Sequence, residues 1–216
     1  MGQKVHPTGF RLGFIEDWRS RWYADKKTFA RLLLEDYKIR RYLKKECYSA
    51  AIDRVEIERT RESIKVQVYT ARPGILIGKG GVRADQISTE LEKIIQRPVM
   101  LEFKEIDKPE LSAQLVAESV AEQLQKRAAF RRVLKKVALA TMQARAGGIK
   151  IKIAGRLAGA EMARREKINL GKIPLSTLTA DINYGFAEAH TKAGAIGIKV
   201  WIYKGEKFSR RPVANG

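Results

Sequence analysis

The sequence is poor in the residues on which many functional sites depend. Among 216 residues there is one cysteine, Cys47, and there are two histidines, His6 and His190. A single cysteine excludes an intrachain disulfide framework and a multi-cysteine zinc site, so we expect no structural metal. No apolar run approaches the roughly 18 residues that a membrane-spanning helix needs. The N-terminus has no hydrophobic segment of the signal-peptide kind, and we therefore expect a cytoplasmic protein.

Acidic residues are scarce relative to basic ones. The chain has 43 Lys and Arg against 24 Asp and Glu, which gives a formal net charge of +19. The excess is uneven, because residues 51–106 carry a net +1 whereas residues 107–172 carry +9. Such a charge favours a polyanion as the partner, either nucleic acid or an anionic membrane surface.

Apolar periodicity predicts an α+β chain in two parts. The first part follows the order helix, strand, strand, helix, glycine loop, helix, strand. Its long first helix is predicted at 25–47, with an expected buried face of Phe29, Leu32, Leu33, Tyr37, Tyr42 and Leu43. The second part begins with two helices at 111–126 and 129–143. Strands are predicted at 149–153, 177–188 and 196–203, and residues 157–174 are interpreted as partly helical.

These patterns predict four segments. Residues 1–16 are rich in glycine and basic residues and are interpreted as an extended arm. The first domain is expected at 17–106, and a proline after Asp107 marks the joint to a second α+β domain at 107–207, in which helices pack on a sheet. Residues 208–216 are expected to be a short basic tail.

Gly78-Lys79-Gly80-Gly81 is the first candidate site. Glycines let a backbone approach a phosphate closely, and Lys79 adds a positive charge. The loop is not a Walker A motif, because no hydroxyl residue follows the lysine, and Arg83 replaces the third glycine of a dinucleotide fingerprint. Two interpretations remain: a surface turn, or the Gly-x-x-Gly loop with which a KH domain clamps nucleotides. The surrounding order of elements, αββααβ, resembles a type II KH domain.

The second candidate site is the predicted helix at 129–143. At 100° per residue, its apolar side chains fall in one arc and four cations fall in the opposite arc. This basic arc consists of Arg131, Arg132, Lys135 and Lys136. Both of its i, i+4 pairs are like-charged, which destabilises a helix by roughly 0.2–0.5 kcal/mol per pair. A phosphate ligand explains the pattern, and a solvated helix face or a membrane surface are the alternatives.

Three separated motifs resemble the family of bacterial-type small-subunit ribosomal protein three. The opening MGQKVHPTGFRLGF is similar to the start of that family, and the glycine loop matches its KH domain. Two later stretches are similar to the signature of its C-terminal domain: GGIKIKIAGRLAGAEMARREK and PLSTLTADINYGFAEAHTKAGAIGIKVWIYKGE. The resemblance covers nearly the whole chain and departs at Lys167, where the family commonly has an aromatic residue.

The resemblance implies a structural component of the small ribosomal subunit, not an enzyme, with no cofactor and no small-molecule substrate. It implies contacts with head ribosomal RNA, with head proteins ten and fourteen, and with proteins four and five along the channel by which mRNA enters. The basic arc then faces incoming mRNA and helps to unwind it, while the glycine loop and Arg83 contact RNA. The expected ribosomal RNA contacts are Lys4, Arg11, Lys150, Lys152, Arg156, Arg164, Arg165 and Lys167.

Two other classes of protein stay open on the sequence alone. An enzyme built on a KH domain, such as a GTPase, would need a nucleotide-binding site, for which the sequence has no motif. A free KH-type RNA regulator would bind short single strands through the near-neutral first domain, whereas a ribosomal protein would place its affinity in the strongly basic second domain. A plastid-encoded copy of the ribosomal protein would have a similar sequence.

Overall fold

The computed structural model describes residues 4–60 and 63–207 and divides the chain into two compact units. One unit spans Trp18–Asp107, and the other combines the N-terminal segment up to Asp17 with the chain from Lys108 onward. The basic tail predicted at 208–216 lies outside the described residues.

Both units are built from helices and strands, as the sequence predicts. The helices are α1 Pro7–Arg11, α2 Lys26–Glu46, α3 Pro73–Ile77, α4 Val82–Ile95, α5 Ala113–Gln125 and α6 Phe130–Gln143. The strands are β1 Ser20–Arg21, β2 Ile52–Arg59, β3 Ile64–Thr70, β4 Val99–Glu105, β5 Gly148–Gly155, β6 Arg164–Gly171, β7 Ala180–Thr191 and β8 Gly194–Glu206.

The unit at Trp18–Asp107 has the predicted order αββααβ, from α2 to β4. Its sheet has the order β1-β2-β3-β4, in which β2 and β3 are antiparallel and β4 runs parallel to β3. Alternate residues of the strands, such as Val66 and Val68, pack against Leu43 of α2 and Leu91 of α4 in one core. The predicted α+β fold with an N-terminal KH domain is confirmed.

The buried face of α2 differs from the prediction. Phe29, Leu33 and Tyr37 are about half exposed, and the buried residues of this helix are Asp36, Ile39 and Leu43. Spacings of three and four place these three residues on one stripe of the helix. The apolar pattern was misleading because a buried acid completes the stripe, where an apolar residue is the usual expectation.

The negative charge of the buried Asp36 is compensated by neighbouring side chains. Its carboxylate accepts hydrogen bonds from Arg59 Nη2 at 2.6 Å, Trp22 Nε1 at 2.8 Å and the Ser20 hydroxyl at 3.0 Å. The Arg59 side chain is itself only 4% exposed and also bonds Glu35 at 2.7 Å. Because both charges are paired and hydrogen-bonded, the cluster ties α2 to β2 and to the segment around β1.

The second unit contains a fully antiparallel sheet with the order β6-β5-β8-β7. Helices α5 and α6 cover one face of it. Ile149, Ile151 and Ile153 of β5 point into that covered face and are fully buried, together with residues of α5 and α6 such as Val120 and Leu134. The opposite face of the sheet, here called the open face, carries the polar residues of the alternation.

The prediction of partial helix at 157–174 is wrong over most of that range. A single 3₁₀ turn at Leu157–Gly159 precedes β6, which pairs with β5 from Gly155↔Arg164 to Gly148↔Gly171. Ile168 and Leu170 alternate towards the core, which is a strand pattern. The sequence does not show this alternation clearly, because β6 begins with four consecutive charged residues, Arg164, Arg165, Glu166 and Lys167.

The N-terminal segment is not an extended arm, and Arg11 is not an RNA contact. Residues Pro7–Arg11 form the short helix α1, and Arg11 is 1% exposed. Its guanidinium donates hydrogen bonds to the backbone carbonyls of Ala180 at 2.6 Å, Thr177 at 2.8 Å and Leu175 at 2.9 Å. The side chain is therefore used to fasten the N-terminal segment to the loop before β7, and the assignment of Arg11 to ribosomal RNA is wrong.

Arg11→Ala is expected to lower the free energy of unfolding by about 3 kcal/mol, because it leaves several buried carbonyls without their donor. Arg11→Lys should recover only part of that loss, since an ammonium cannot reproduce the fork of donors. Urea unfolding of the full chain measures both. Arg164→Ala, at an exposed position, is the control and should change stability by less than about 0.5 kcal/mol. Equal stability of the Arg11→Ala and Arg164→Ala variants would contradict this role.

Candidate nucleic-acid interface

The glycine loop lies between α3 and α4, where a 3₁₀ turn spans Lys79–Gly81. Gly78, Gly80 and Gly81 have φ angles of +71°, +62° and +85°, in the region that favours glycine. A Cβ at Gly80 or Gly81 would meet nothing within 4 Å, whereas a Cβ at Gly78 would lie 2.9 Å from the Cβ of Arg83. The loop thus presents an open backbone surface at Gly80 and Gly81, beside the exposed side chain of Lys79.

Arg83 is exposed on the first turn of α4, and it lies near the buried thiol of Cys47. Burial raises the pKa of the Cys47 thiol, and the nearby positive charge of Arg83 opposes that shift. Arg83 therefore borders the glycine loop on one side and the end of α2 on the other. We retain its contact with RNA as a prediction.

Gly78→Ala is expected to destabilise the KH unit by about 2–3 kcal/mol. The new Cβ would clash with the side chain of Arg83, and the alanine would have to adopt a backbone conformation that only glycine adopts easily. Gly74→Ala is the matched control: a Cβ there meets nothing within 4 Å, and alanine favours the helix. Thermal unfolding of the two variants provides the test. If Gly78→Ala melts with Gly74→Ala and the parent protein, the loop conformation described here is wrong.

The basic arc of α6 lies on the surface, as the helical spacing predicts. Arg131, Arg132, Lys135 and Lys136 are all exposed, while Val133 and Leu134 of the same helix are each 4% exposed. Among residues 4–60 and 63–207, no carboxylate forms an ion pair with any of these four cations. An open groove of about 820 Å³ lies between this arc and β6. The arrangement can hold a string of phosphates along the helix.

The open face of the sheet gathers the next group of predicted RNA contacts. Lys150 and Lys152 of β5 lie on it, and Lys167 of β6 stands directly opposite Lys152. The ammonium of Lys150 lies 5.4 Å from the ring centroid of Trp201. Burial lowers the pKa of Lys150, and the positive charges of Lys4, Lys167 and Lys152 lower it further. The strand register places Lys150, Lys152 and Lys167 on one surface, and the lowered pKa of Lys150 is consistent with the approach of Lys4 to the same surface.

The remaining predicted contacts have different settings. Arg164 and Arg165 are exposed at the start of β6. Arg156 is exposed too, but its Nε donates to the carbonyl of Ala160 at 2.9 Å and its Nη1 to that of Ala193 at 3.0 Å. Arg156 thus joins two loops of its own unit, and its RNA contact stays a prediction.

Sequence analysis missed Lys199, which lies on the open face directly opposite Lys152. The alternation of residues in the final strand places Lys199 and Trp201 on the face opposite to Ile198 and Val200. The alternation could have been read from the sequence. The pairing of this strand with β5 could not, because the register between distant strands is set by tertiary pairing.

Two other kinds of site find no support in the part of the chain that the structure describes. No group of three or more His, Cys, Asp and Glu side chains there is placed to hold a metal ion. None of the described helices combines the length and the apolar character needed to cross a membrane.

Comparisons with known proteins agree with this description. The family model for the KH domain matches residues 38–111, and the model for the C-terminal domain of ribosomal protein S3 matches residues 120–202. The small ribosomal subunit protein uS3 of Caldicellulosiruptor saccharolyticus is 54% identical over 99% of this chain and 97% of its own length. The uS3 proteins of Desulforudis audaxviator and Clostridium botulinum are 52% and 51% identical over 100% of this chain and cover 99% and 97% of their own lengths.

The KH unit and the C-terminal domain, together with these relatives, define the class: an RNA-binding structural protein of the ribosome, and not an enzyme. Within that class, the chain belongs to the uS3 family of small ribosomal subunit proteins. This confirms the family resemblance drawn from the sequence.

Proposed function

We propose that the protein is built into the head of the small ribosomal subunit in the cytoplasm, where it binds ribosomal RNA and lines the channel by which mRNA enters. In this role the basic arc of α6 holds incoming mRNA and assists the unwinding of its structure. The observation that carries the proposal is the basic arc itself, with four exposed cations and no carboxylate paired to them among the described residues.

Elementary electrostatics supports a polyanion at this arc. The like-charged pairs Arg131/Lys135 and Arg132/Lys136 destabilise the free helix. The opposite arc of α6 is committed to the core, so that the cations cannot turn inward. Phosphates of a bound strand would neutralise them and release counterions, which favours binding.

Unwinding at such a surface needs no nucleotide site. The movement of mRNA through the ribosome supplies the work, and the cations hold strands that have separated. Arg131 and Arg132 suit this task, since a guanidinium can form two parallel hydrogen bonds to one phosphate.

The other surfaces are proposed to hold ribosomal RNA and neighbouring proteins. We assign ribosomal RNA to the open face with Lys4, Lys150, Lys152 and Lys167, to Arg156, Arg164 and Arg165, and to the glycine loop with Arg83. The expected protein neighbours are head proteins ten and fourteen, and proteins four and five at the mRNA channel.

Ribosomes reconstituted with the Arg131/Arg132/Lys135→Ala variant should translate hairpin-containing messages severalfold more slowly than parental ribosomes. Messages without structure should be translated at the parental rate, because the arc acts on strands separated from a helix. Single-turnover translation with paired messages that differ only in the hairpin makes the measurement.

The control is Lys26/Lys27/Lys38→Ala, which removes three exposed cations from α2 and should leave both rates unchanged. Alanine is a strong helix former, so neither variant is expected to unfold its helix. The proposal would be overturned by an Arg131/Arg132/Lys135→Ala variant that assembles normally and translates both messages at the parental rate.

A further inference from the structure

The open face of the C-terminal sheet contains a row of three lysines that cross three adjacent strands. Lys152 of β5 is paired directly with Lys167 of β6 and with Lys199 of β8. Neighbouring strands lie about 4.8 Å apart, so that the lysine row spans about 10 Å. Like charges that face each other across a sheet are destabilising. A protein would be expected to avoid this row unless a ligand neutralises it.

Phe186 of β7 ends the lysine row. It is paired with Lys199, whose ammonium lies 6.0 Å from the centroid of the phenyl ring. Phe186 is 43% exposed, which is high for an aromatic residue in a strand. Gly197 lies next to it: a Cβ added there would be 4.0 Å from Cε2 of Phe186. The row thus offers three cations and, at one end, an aromatic surface open to solvent.

The neighbouring row is already occupied by the protein's own residues. Trp201 lies between Lys150 and Tyr184, with ring centroids of Trp201 and Tyr184 5.4 Å apart. The ring of His6, from the N-terminal segment, packs edge-on against Tyr184 at 4.7 Å. These contacts cover one side of the open face. Among residues 4–60 and 63–207, the lysine row and Phe186 form the part of this face that is left for a partner.

The sheet of the KH unit provides an internal comparison. Its corresponding face mixes charges of both signs, as in the cross-strand row Glu58, Lys65 and Met100. Lys65 forms an ion pair with Glu102 at 3.1 Å. On this face of the KH sheet, carboxylates therefore compensate the positive charge of Lys65. On the open face, the three rows from Lys150 to Ala154 contain one acidic residue, Glu188, at their outer end.

We propose that the lysine row and Phe186 form a binding site for an unpaired segment of RNA, with phosphates on the lysines and one base stacked on the phenyl ring. An unpaired segment is required because a base inside a duplex has no free face to stack, whereas bases of loops and single strands do. This inference rests on the proposed function, since it takes RNA as the partner.

Fluorescence anisotropy of the purified full chain tests the site with two probes, an RNA hairpin with an unpaired uridine loop and a blunt RNA duplex of the same length. Lys152/Lys167/Lys199→Gln should weaken binding to the hairpin by about 10- to 100-fold and lower the slope of log affinity against log salt by about two. Lys26/Lys27/Lys38→Gln removes the same charge from α2 and is the matched control, expected to change affinity much less.

Phe186→Ala should weaken binding to the hairpin by about 5- to 100-fold, with no change for the duplex or in the salt slope, because stacking carries no charge. Phe29→Ala, at a residue of similar exposure (48%) on α2, should leave both affinities unchanged. A Phe186→Ala variant that binds the hairpin like the parent, or that loses affinity for both probes equally, would show that no base stacks there.

Folding is checked independently by thermal melting without RNA. The triple lysine variant should melt about 1–3 °C higher than the parent at low salt, because cross-strand repulsion is removed. Phe186→Leu retains apolar volume, and it should fold like the parent yet lose affinity for the hairpin. A lower melting point of the triple lysine variant would contradict the repulsion that motivates the site.

The same titrations with Arg131/Arg132/Lys135→Ala separate this inference from the proposed function. If that variant loses affinity and the triple lysine variant does not, the site on the open face is wrong, together with the assignment of Lys152 and Lys167 to ribosomal RNA. The mRNA role proposed for the basic arc of α6 then stands. If neither loses affinity, RNA binding by both surfaces is wrong. If the triple lysine variant keeps its RNA affinity but no longer retains a neighbouring protein in reconstituted subunits, the open face binds protein and the proposal is overturned.

Discussion

One shared apolar core is the constraint on which the C-terminal unit depends. The covered face of the sheet and the inner arcs of α5 and α6 form the buried apolar core of the unit. The cations of the basic arc of α6 and the lysines of the open face therefore lie on two outer surfaces of the unit. Neither surface can relieve its repulsion by folding, and both become favourable on a polyanion.

Arginine serves two distinct purposes in this chain. Arg11 and Arg59 are buried and satisfy carbonyls or carboxylates within their own units, whereas Arg131 and Arg132 are exposed. Arg11 fastens the N-terminal segment, and Arg59 with Asp36 fastens the edge around β1. Both segments have little apolar surface of their own. Net charge alone therefore overstates the number of cations available to RNA.

The sequence was sufficient for the KH order, the basic arc of α6 and the identity of the open-face lysines on β5, because each depends on local periodicity. It was insufficient for Arg11, whose partners lie more than 160 residues away, and for the buried Asp36 in the face of α2. The pairing of Lys152 with Lys167 and Lys199 depends on the strand order β6-β5-β8, which no local pattern encodes.

Sedimentation of a gently opened cell extract, repeated at rising salt with the protein followed by antibody, tests the central claim most directly. If its positive charge serves a large RNA interface within the small subunit, the protein should sediment with small subunits at low salt and be released only at high salt. A protein that stays at the top of the gradient at low salt would contradict the account.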